Sequence, residues 1–374
     1  MSSNFLELKT KIERTSRIAQ LEGIFDVPKA SESSVKIPKI PDSLGEWTVG
    51  LIVGHSGSGK TSVAREKWGD CIVDEYEWDN NKSIVDSFDQ SLSMREITGA
   101  LSSVGFSSPP SWMRPYRVLS NGEKFRANMA RALVDERELI VIDEFTSVVD
   151  RQVAKIASTA IQNAFRRKGK KLVAVSCHYD IAEWLQPDWT YEPTTGTLAR
   201  DCLQRPQIDI TIQQVDRSAW QLFKKHHYLS SDINKAARCF VGFVWDQPAA
   251  FMAVLPFPHG HRSGWRDHRT VCLPDFQGAG IGNAMNAAIC SMYRATGKPV
   301  FSTTSHPAMI HSRAKSKMWK MNRKPSYSGG GRKVQDTKII GLNKSRAKNR
   351  KTAGFEYLGK PDYESAKQLG LIKI

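Results

Sequence analysis

The hydrophobic pattern changes character part-way along the chain. Before residue 200, apolar positions come in uninterrupted runs: Thr48 to Val53, Leu139 to Ile142 and Leu172 to Cys177. Strands buried on both faces of a parallel sheet read this way. Segments of helical spacing, Ser62 to Trp68 and Lys124 to Leu133, lie between them. After residue 206 the runs shorten and alternate. Ile208 to Ile212 predicts a half-buried strand and Asp216 to His226 a helix. Phe240 to Trp245 and Ala249 to Leu255, separated by Asp246-Gln247-Pro248, predict a hairpin. Arg269 to Leu273 predicts a strand, Asn283 to Thr296 a helix, Pro299 to Thr303 a strand, Met309 to Met318 a helix and Ala353 to Leu358 a late strand. The turn-rich stretch Trp184 to Arg200 and Cys202 to Pro206 mark the join. The expected division is an N-terminal extension 1–44, an α/β domain 45–205, an α+β domain 206–360 and a tail 361–374.

Each half carries a glycine-rich turn between a strand and a helix. The first is Gly54-His55-Ser56-Gly57-Ser58-Gly59-Lys60-Thr61. Glycines at these positions let backbone N–H groups face phosphate oxygens, Lys60 reaches the β- and γ-phosphates, and Thr61 offers its hydroxyl to Mg²⁺. Gly54, Ser56, Gly57, Ser58, Gly59, Lys60, Thr61 and Ser62 are the candidate ATP-binding residues. The run ending at Asp143-Glu144 supplies the complement: Asp143 approaches the metal and Glu144 polarises the attacking water.

Between these elements lies Leu119-Ser120-Asn121-Gly122-Glu123-Lys124. With it, residues 45–200 resemble the ATP-binding-cassette (ABC) ATPase family, whose signature is Leu-Ser-Gly-Gly-Gln. Asn121 and Glu123 depart from that pattern; Ser147-Val148-Val149-Asp150 matches the following turn and His178 the switch histidine. The resemblance implies that Ser120 and Gly122 of one copy cap the γ-phosphate held by another, hence an ATP-dependent homodimer with Asp150 at its interface. It further implies His178 as the γ-phosphate sensor, Gln90 as a metal contact and Trp47 as a stacking partner for adenine, although a core role for Trp47 reads equally well.

The second turn is Gln277-Gly278-Ala279-Gly280-Ile281-Gly282. No lysine with a serine or threonine follows, so a metal-bound triphosphate is not indicated. Its N–H groups can converge on a pyrophosphate at a helix N-terminus. With the strand before it, residues 210–360 resemble the GNAT acyltransferase fold. That resemblance implies acetyl-CoA or a related acyl-CoA held by Leu273, Gln277, Gly278, Ala279, Gly280, Ile281 and Gly282. His227 and Ser302 are candidate catalytic residues, from a histidine pair after the first helix and a hydroxyl-rich strand end. More loosely, the half is similar to the Mom-type DNA adenine modification proteins of bacteriophages. Trp319, Trp265, Tyr228 and Phe257 are then candidate stacking partners for a flipped base, although a core role reads better for each of them singly.

Charge sharpens the contrast. The chain of 374 residues has a net charge of +16, yet residues 1–205 are balanced at −1 and residues 206–374 carry +17. Much of the excess lies in a basic insertion, 313–351, with the run Arg346-Ala347-Lys348-Asn349-Arg350-Lys351 and the triplet Gly329-Gly330-Gly331. A polyanion is the expected partner, DNA before RNA. The six cysteines are scattered singly, which argues against a disulfide framework or structural zinc and for a reducing, cytoplasmic setting. No run reaches the roughly 20 apolar residues of a membrane span. The expected function is an ATP-hydrolysing protein with an acyl-CoA-dependent transferase acting on DNA. The alternatives are an ATPase-coupled RNA or protein N-acetyltransferase, and a DNA-binding ABC ATPase whose second half only binds.

Overall fold

A computed structural model describes residues 4–25, 28–73, 75–200, 206–227, 232–258, 262–327 and 351–372. Tyr228, the triplet Gly329-Gly330-Gly331, the run from Arg346 to Arg350 and most of the basic insertion lie outside the described residues. The strands are β1 Phe5–Lys11, β2 Glu32–Pro38, β3 Val49–Val53, β4 Ile72–Val73, β5 Leu139–Ile142, β6 Lys171–Ser176, β7 Trp189–Glu192 and β8 Thr197–Ala199. They continue as β9 Thr211–Val215, β10 Arg238–Val244, β11 Gln247–Phe257, β12 Gly264–Cys272, β13 Val300–Thr304, β14 Trp319–Tyr327 and β15 Lys351–Tyr357. The chain forms two compact units, Met1–Glu77 with Arg131–Pro206 and Trp78–Ala130 with Gln207–Ile374.

The first unit is built on a six-stranded sheet of order β4-β5-β6-β3-β7-β8, parallel except for the antiparallel edge β8. Every residue of β3 is buried, as its unbroken apolar run requires. Helix Arg151–Lys168 starts where Asp150 accepts the N–H groups of Gln152 and Val153, and it stops at Gly169 in a left-handed conformation (φ 71°). The N-terminal extension contributes more than its polar composition indicates. β1 and β2 pair antiparallel, and Ile37, Ile40 and Leu44 enter the same core as Ile52, Val63 and Tyr191.

The second unit carries a seven-stranded sheet of order β14-β15-β13-β12-β11-β10-β9, antiparallel except for the parallel pair β12–β13. Helix Ile281–Arg294 makes that crossover, burying Ile281, Met285, Ile289, Met292 and Tyr293. Trp220 and Phe223 pack on Val241, Phe251 and Val271. The hairpin β10–β11 turns through Trp245 and Asp246, both at positive φ (48° and 60°), which fits a two-residue loop. The segment Trp78–Ala130 brings helix Met94–Ser103, whose Ser93 and Glu96 form a capping box. It also contains the start of helix Asn121–Val134.

Within the basic insertion, Trp319–Tyr327 is an edge strand paired with β15; its basic residues are tolerated because most of the strand is exposed. Trp319 is accordingly packed, against Phe355 and Tyr357 with the Arg313 guanidinium 4.2 Å from its ring centre, rather than presented to a base. Trp265 meets Tyr293 edge-on while its Nε1 donates to Thr296, and Phe257 meets Phe301 edge-on.

Candidate functional site

The first glycine turn leaves the buried strand β3 and enters helix Lys60–Trp68 directly. Gly57 (φ 79°) and Gly59 (φ 84°) hold left-handed conformations. A Cβ on Gly59 would also lie 2.2 Å from Cδ1 of Ile37, and one on Gly54 2.6 Å from the Ser58 hydroxyl. Backbone approach is therefore required, not merely permitted. Lys60 is buried, and its Nζ donates to the His55 carbonyl at 2.9 Å, folding the ammonium across the loop. The Ser58 Oγ is buried without a hydrogen-bond partner. An orphaned hydroxyl beside a buried ammonium and a glycine cradle fits a phosphate group.

Asp143 and Glu144 lie in the turn after β5. Asp143 Oδ1 accepts the Glu144 N–H at 2.9 Å, and Glu144 is exposed at φ 52°. Thr146, fully buried, stands at φ 69°, an unfavourable conformation for a β-branched residue and one typical of constrained sites. The turn is tied to the end of β6. The Phe145 N–H donates to Val175 O (2.8 Å), the Ser176 hydroxyl to Phe145 O (3.0 Å), and the His178 N–H to Ser176 Oγ (3.1 Å). Glu144 and His178 thus lie on two turns linked through Ser176. Arg151 pairs with Asp180 just beyond.

Trp47 is placed in a cluster with Trp68 and Trp189, with centroid separations of 6.3 and 5.4 Å. Trp68 ends the helix that Lys60 begins, roughly 12 Å along its axis at 1.5 Å per residue. Trp47 is partly buried and packs against the core at that end.

In the second unit, Ser120 stands exposed before helix Asn121–Val134 and Gly122 is buried within its first turn. Glu123, which departs from the family glutamine, forms a capping box. Its Oε2 accepts from the Ser120 N–H (3.0 Å) and hydroxyl (3.2 Å), while its Oε1 accepts from the Ser111 hydroxyl (2.7 Å). Gln90 is exposed in a turn of this unit, before Ser93.

The second glycine turn has Gly278 at φ 95° and Gly280 at φ 86° heading helix Ile281–Arg294. A Cβ on Gly280 would meet nothing within 4 Å, so conformation rather than space calls for glycine there. On Gly282 it would lie 3.3 Å from Cys272 Cβ. Ile281 is buried, Ala279 partly so, and burial raises the Cys272 thiol to about 12. Two expected ligand contacts, Gln277 and Leu273, and the catalytic candidate Ser302 already have partners within the protein. Gln277 is buried and committed: its Oε1 accepts from the Ser107 N–H (2.7 Å) and its Nε2 donates to Cys272 O (2.8 Å). Leu273 donates its N–H to Ala249 O, and its carbonyl, which can accept twice, already accepts from the Phe276 N–H, so only one acceptor position is left for a cofactor amide. Ser302 lies inside a buried network, donating to Asp267 Oδ2 (3.0 Å) and accepting from Arg313, so it holds architecture rather than facing a cleft.

That network was not marked by the sequence pattern. Asp267 accepts from Arg313 Nη2 (3.1 Å), Asn286 Nδ2 (3.1 Å) and Thr270 Oγ1 (3.0 Å) besides Ser302. It sits where β12 and β13 part, since they pair only at Trp265–Val300, Arg266–Phe301 and Asp267–Ser302. The ladder to β11 slips at the same level: Ala253 faces Arg269 and Val254 faces Asp267, leaving His268 as the extra residue of a bulge. Burial, then Arg269 and Arg266, push the His268 imidazole down to about 4. His227 is buried with its ring 5.6 Å from Trp220. An acidic residue interrupting a strand, followed by a basic one on a helix, was the available signal; their pairing is a property of the crossover.

Among the described residues no cluster of three His, Cys, Asp or Glu side chains is placed to hold a metal, and no helix is long and apolar enough to cross a membrane. No family model matches the chain. It is similar to the energy-coupling factor transporter ATP-binding protein EcfA1 of Leuconostoc mesenteroides, 21% identical over 37% of this chain and 64% of that protein. It is similar also to the phosphonates import ATP-binding protein PhnC of a Polaromonas species, 38% identical over 17% of this chain and 23% of that protein. The chain thus spans less than two thirds of either relative. Solved structures that resemble it include the dimeric MJ0796, a bacterial ABC transporter cassette (13% identity, 45% of this chain and 92% of that one, TM-score 0.35), and cbiO1 from Clostridium perfringens (17%, 45% and 79%, TM-score 0.34). The weak, partial sequence matches support an ABC-ATPase-like P-loop module within this chain.

Proposed function

We infer that this protein hydrolyses ATP and that its second half transfers an acyl group from acyl-CoA to nucleic acid, a DNA base in preference to RNA or protein. The ATP part is supported by the orphaned Ser58 hydroxyl in a glycine cradle and by two relatives that are ATP-binding proteins. Thr61 and Asp143 are the residues that would hold Mg²⁺. The ion would neutralise charge developing on the β- and γ-phosphates. Lys60 binds the phosphates, Glu144 orients water and His178 contacts the γ-phosphate. With one such module per chain, Ser120 and Gly122 have a phosphate loop to cap in trans only in an ATP-bound homodimer.

The observation that carries the transferase part is the parting of β12 from β13 after three paired residues, beside a glycine turn that heads the crossover helix. The stretch of β12 after Asp267 has no β13 partner; His268 O and Cys272 O accept from Arg269 and Gln277, and the remaining backbone groups on that side would pair with an extended, amide-bearing ligand such as pantetheine. The turn Gly278 to Gly282 would take the pyrophosphate. The bulge at His268 redirects the backbone at the mouth of that opening. Nucleic acid as acceptor is supported by the +17 balance of residues 206–374.

The test is direct. The protein is incubated with duplex DNA, ATP-Mg²⁺ and labelled acetyl-CoA, and the DNA is digested to nucleosides. A labelled nucleoside is expected. Label confined to RNA or protein in parallel reactions would reassign the acceptor, and a chain that never binds coenzyme A would end the transferase reading.

A further inference from the structure

The loop between helix Met94–Ser103 and helix Pro109–Trp112 touches both strands that part. Gly105 (φ 87°) approaches so closely that a Cβ there would lie 2.6 Å from Gln277 O. The Ser107 N–H donates to Gln277 Oε1 (2.7 Å), and Gln277 Nε2 holds the carbonyl of Cys272, the last residue of β12. The Ser107 carbonyl accepts from Nε2 of His306 (3.3 Å), two residues beyond β13. One residue therefore ties the ends of β12 and β13 together. From Ser107 a buried path runs to the signature. Ser111 N–H donates to Ser108 O (2.9 Å), the Ser111 hydroxyl to Glu123 Oε1 (2.7 Å), and Ser120 N–H and Oγ to Glu123 Oε2. Ser108, Ser111, Glu123 and Gln277 are each less than 10% exposed. One turn along the same helix, Arg126 Nη2 donates to Asp275 O (3.2 Å).

The path explains the departure at Glu123. A carboxylate accepts on both oxygens, toward Ser111 and toward Ser120; a glutamine amide accepts on one only. Here the signature position carries two acceptor tasks where the family residue could perform one.

Resting on the trans-capping and acyl-CoA readings above, we propose that nucleotide at the signature gates the opening between β12 and β13. A γ-phosphate presented by a partner copy competes for the Ser120 hydroxyl proton and draws it from Glu123. Oε2 then keeps only the Ser120 N–H, the carboxylate turns toward that remaining donor, its Oε1 swings away from the Ser111 hydroxyl, and the Ser107 loop slackens its hold on Gln277 and His306. The strand ends spread and admit the coenzyme. The two-state element is the Ser107 loop, and both ligands bias it.

The experiment uses the full chain carrying Glu144→Gln, loaded with ATP-Mg²⁺ or nucleotide-free. Coenzyme A binding is measured by calorimetry, and amide exchange over 104–112 and 276–282 is measured without coenzyme. The gate predicts binding about 5-fold or more tighter with ATP, and faster exchange in both segments on ATP loading. Adding Glu123→Gln should abolish both differences; Ser111→Ala, which removes only the hydroxyl, is the second variant should the first fold poorly. Equal affinities with unchanged exchange would overturn the gate and leave the acyl-CoA reading intact. Exchange that responds to ATP while coenzyme A never binds would support the gate and reject that ligand.

Discussion

Asp267 and Arg313 offer the sharpest test of how the second unit is held together. Their side chains are 6% and 4% exposed and 3.1 Å apart. At that distance and an effective dielectric constant of about 20, the attraction is roughly 5 kcal/mol before desolvation of both ions is subtracted. Removing one partner strands the other as a buried charge, so Arg313→Met and Asp267→Asn should each cost about 3–5 kcal/mol. The double variant strands neither and should lie within about 2 kcal/mol of the parent. A mutual coupling of several kcal/mol follows. The chain has two units, so a single unfolding free energy is not defined for it. The appropriate assay is residue-resolved hydrogen exchange of the β12 and β13 amides under mild denaturant. Additive single effects, with coupling below about 0.5 kcal/mol, would show that the pair does not secure the point where the strands part.

Four further outcomes are expected. Ser302→Ala removes a hydroxyl bonded to two ionic groups and should lower local stability by about 2 kcal/mol; an unchanged exchange profile with lost turnover would instead return Ser302 to the reacting groups. Glu144→Gln should slow ATP hydrolysis on the order of 100-fold or more while light scattering detects ATP-bound dimers; persistent monomers would refute capping in trans. Gly280→Val forces a β-branched residue to φ 86°, and should abolish coenzyme A binding at a conformational cost of about 1–2 kcal/mol while ATP binding persists. His268, held at about 4 by burial and by Arg269 and Arg266, with Asp267 and His227 also near, binds fewer protons folded than unfolded between its ordinary value and 4. Its contribution is therefore present above about pH 6.5 and lost as pH falls toward 4. The local stability of β12 should drop by about 2 kcal/mol over that range, and His268→Gln should flatten part of the slope in hydrogen exchange of the β12 amides compared at pH 7 and pH 4.5 after correction for intrinsic exchange rates.

The two glycine turns were legible because backbone geometry leaves little choice of residue there: Gly57, Gly59, Gly278 and Gly280 all stand at positive φ. The buried strands β3, β5 and β6 were legible because a run such as Leu139 to Ile142 has no polar side to turn outward. The hairpin at Trp245-Asp246 was legible from its breakers. Trp319–Tyr327 was not recognised as a strand, because an exposed edge carries no hydrophobic alternation. Ser302 is ambiguous in the sequence for a related reason. A hydroxyl at a strand end reads the same whether it faces a ligand or an arginine.

By itself, then, the sequence determined local matters: where the chain can turn with glycine, which strands are buried on both faces, where phosphate-compatible N–H groups cluster, and which half is basic. These depend on neighbours within a few residues, and composition records them. Tertiary structure decided the remainder. Asp267 meets Arg313 across 46 positions of chain, and Ser107 meets Gln277 across 170. Such pairs have no periodicity to detect. They exist because a parallel crossover and a docked helical segment bring distant residues to the same strand ends, where burial makes each unpaired polar group costly and so selects its partner.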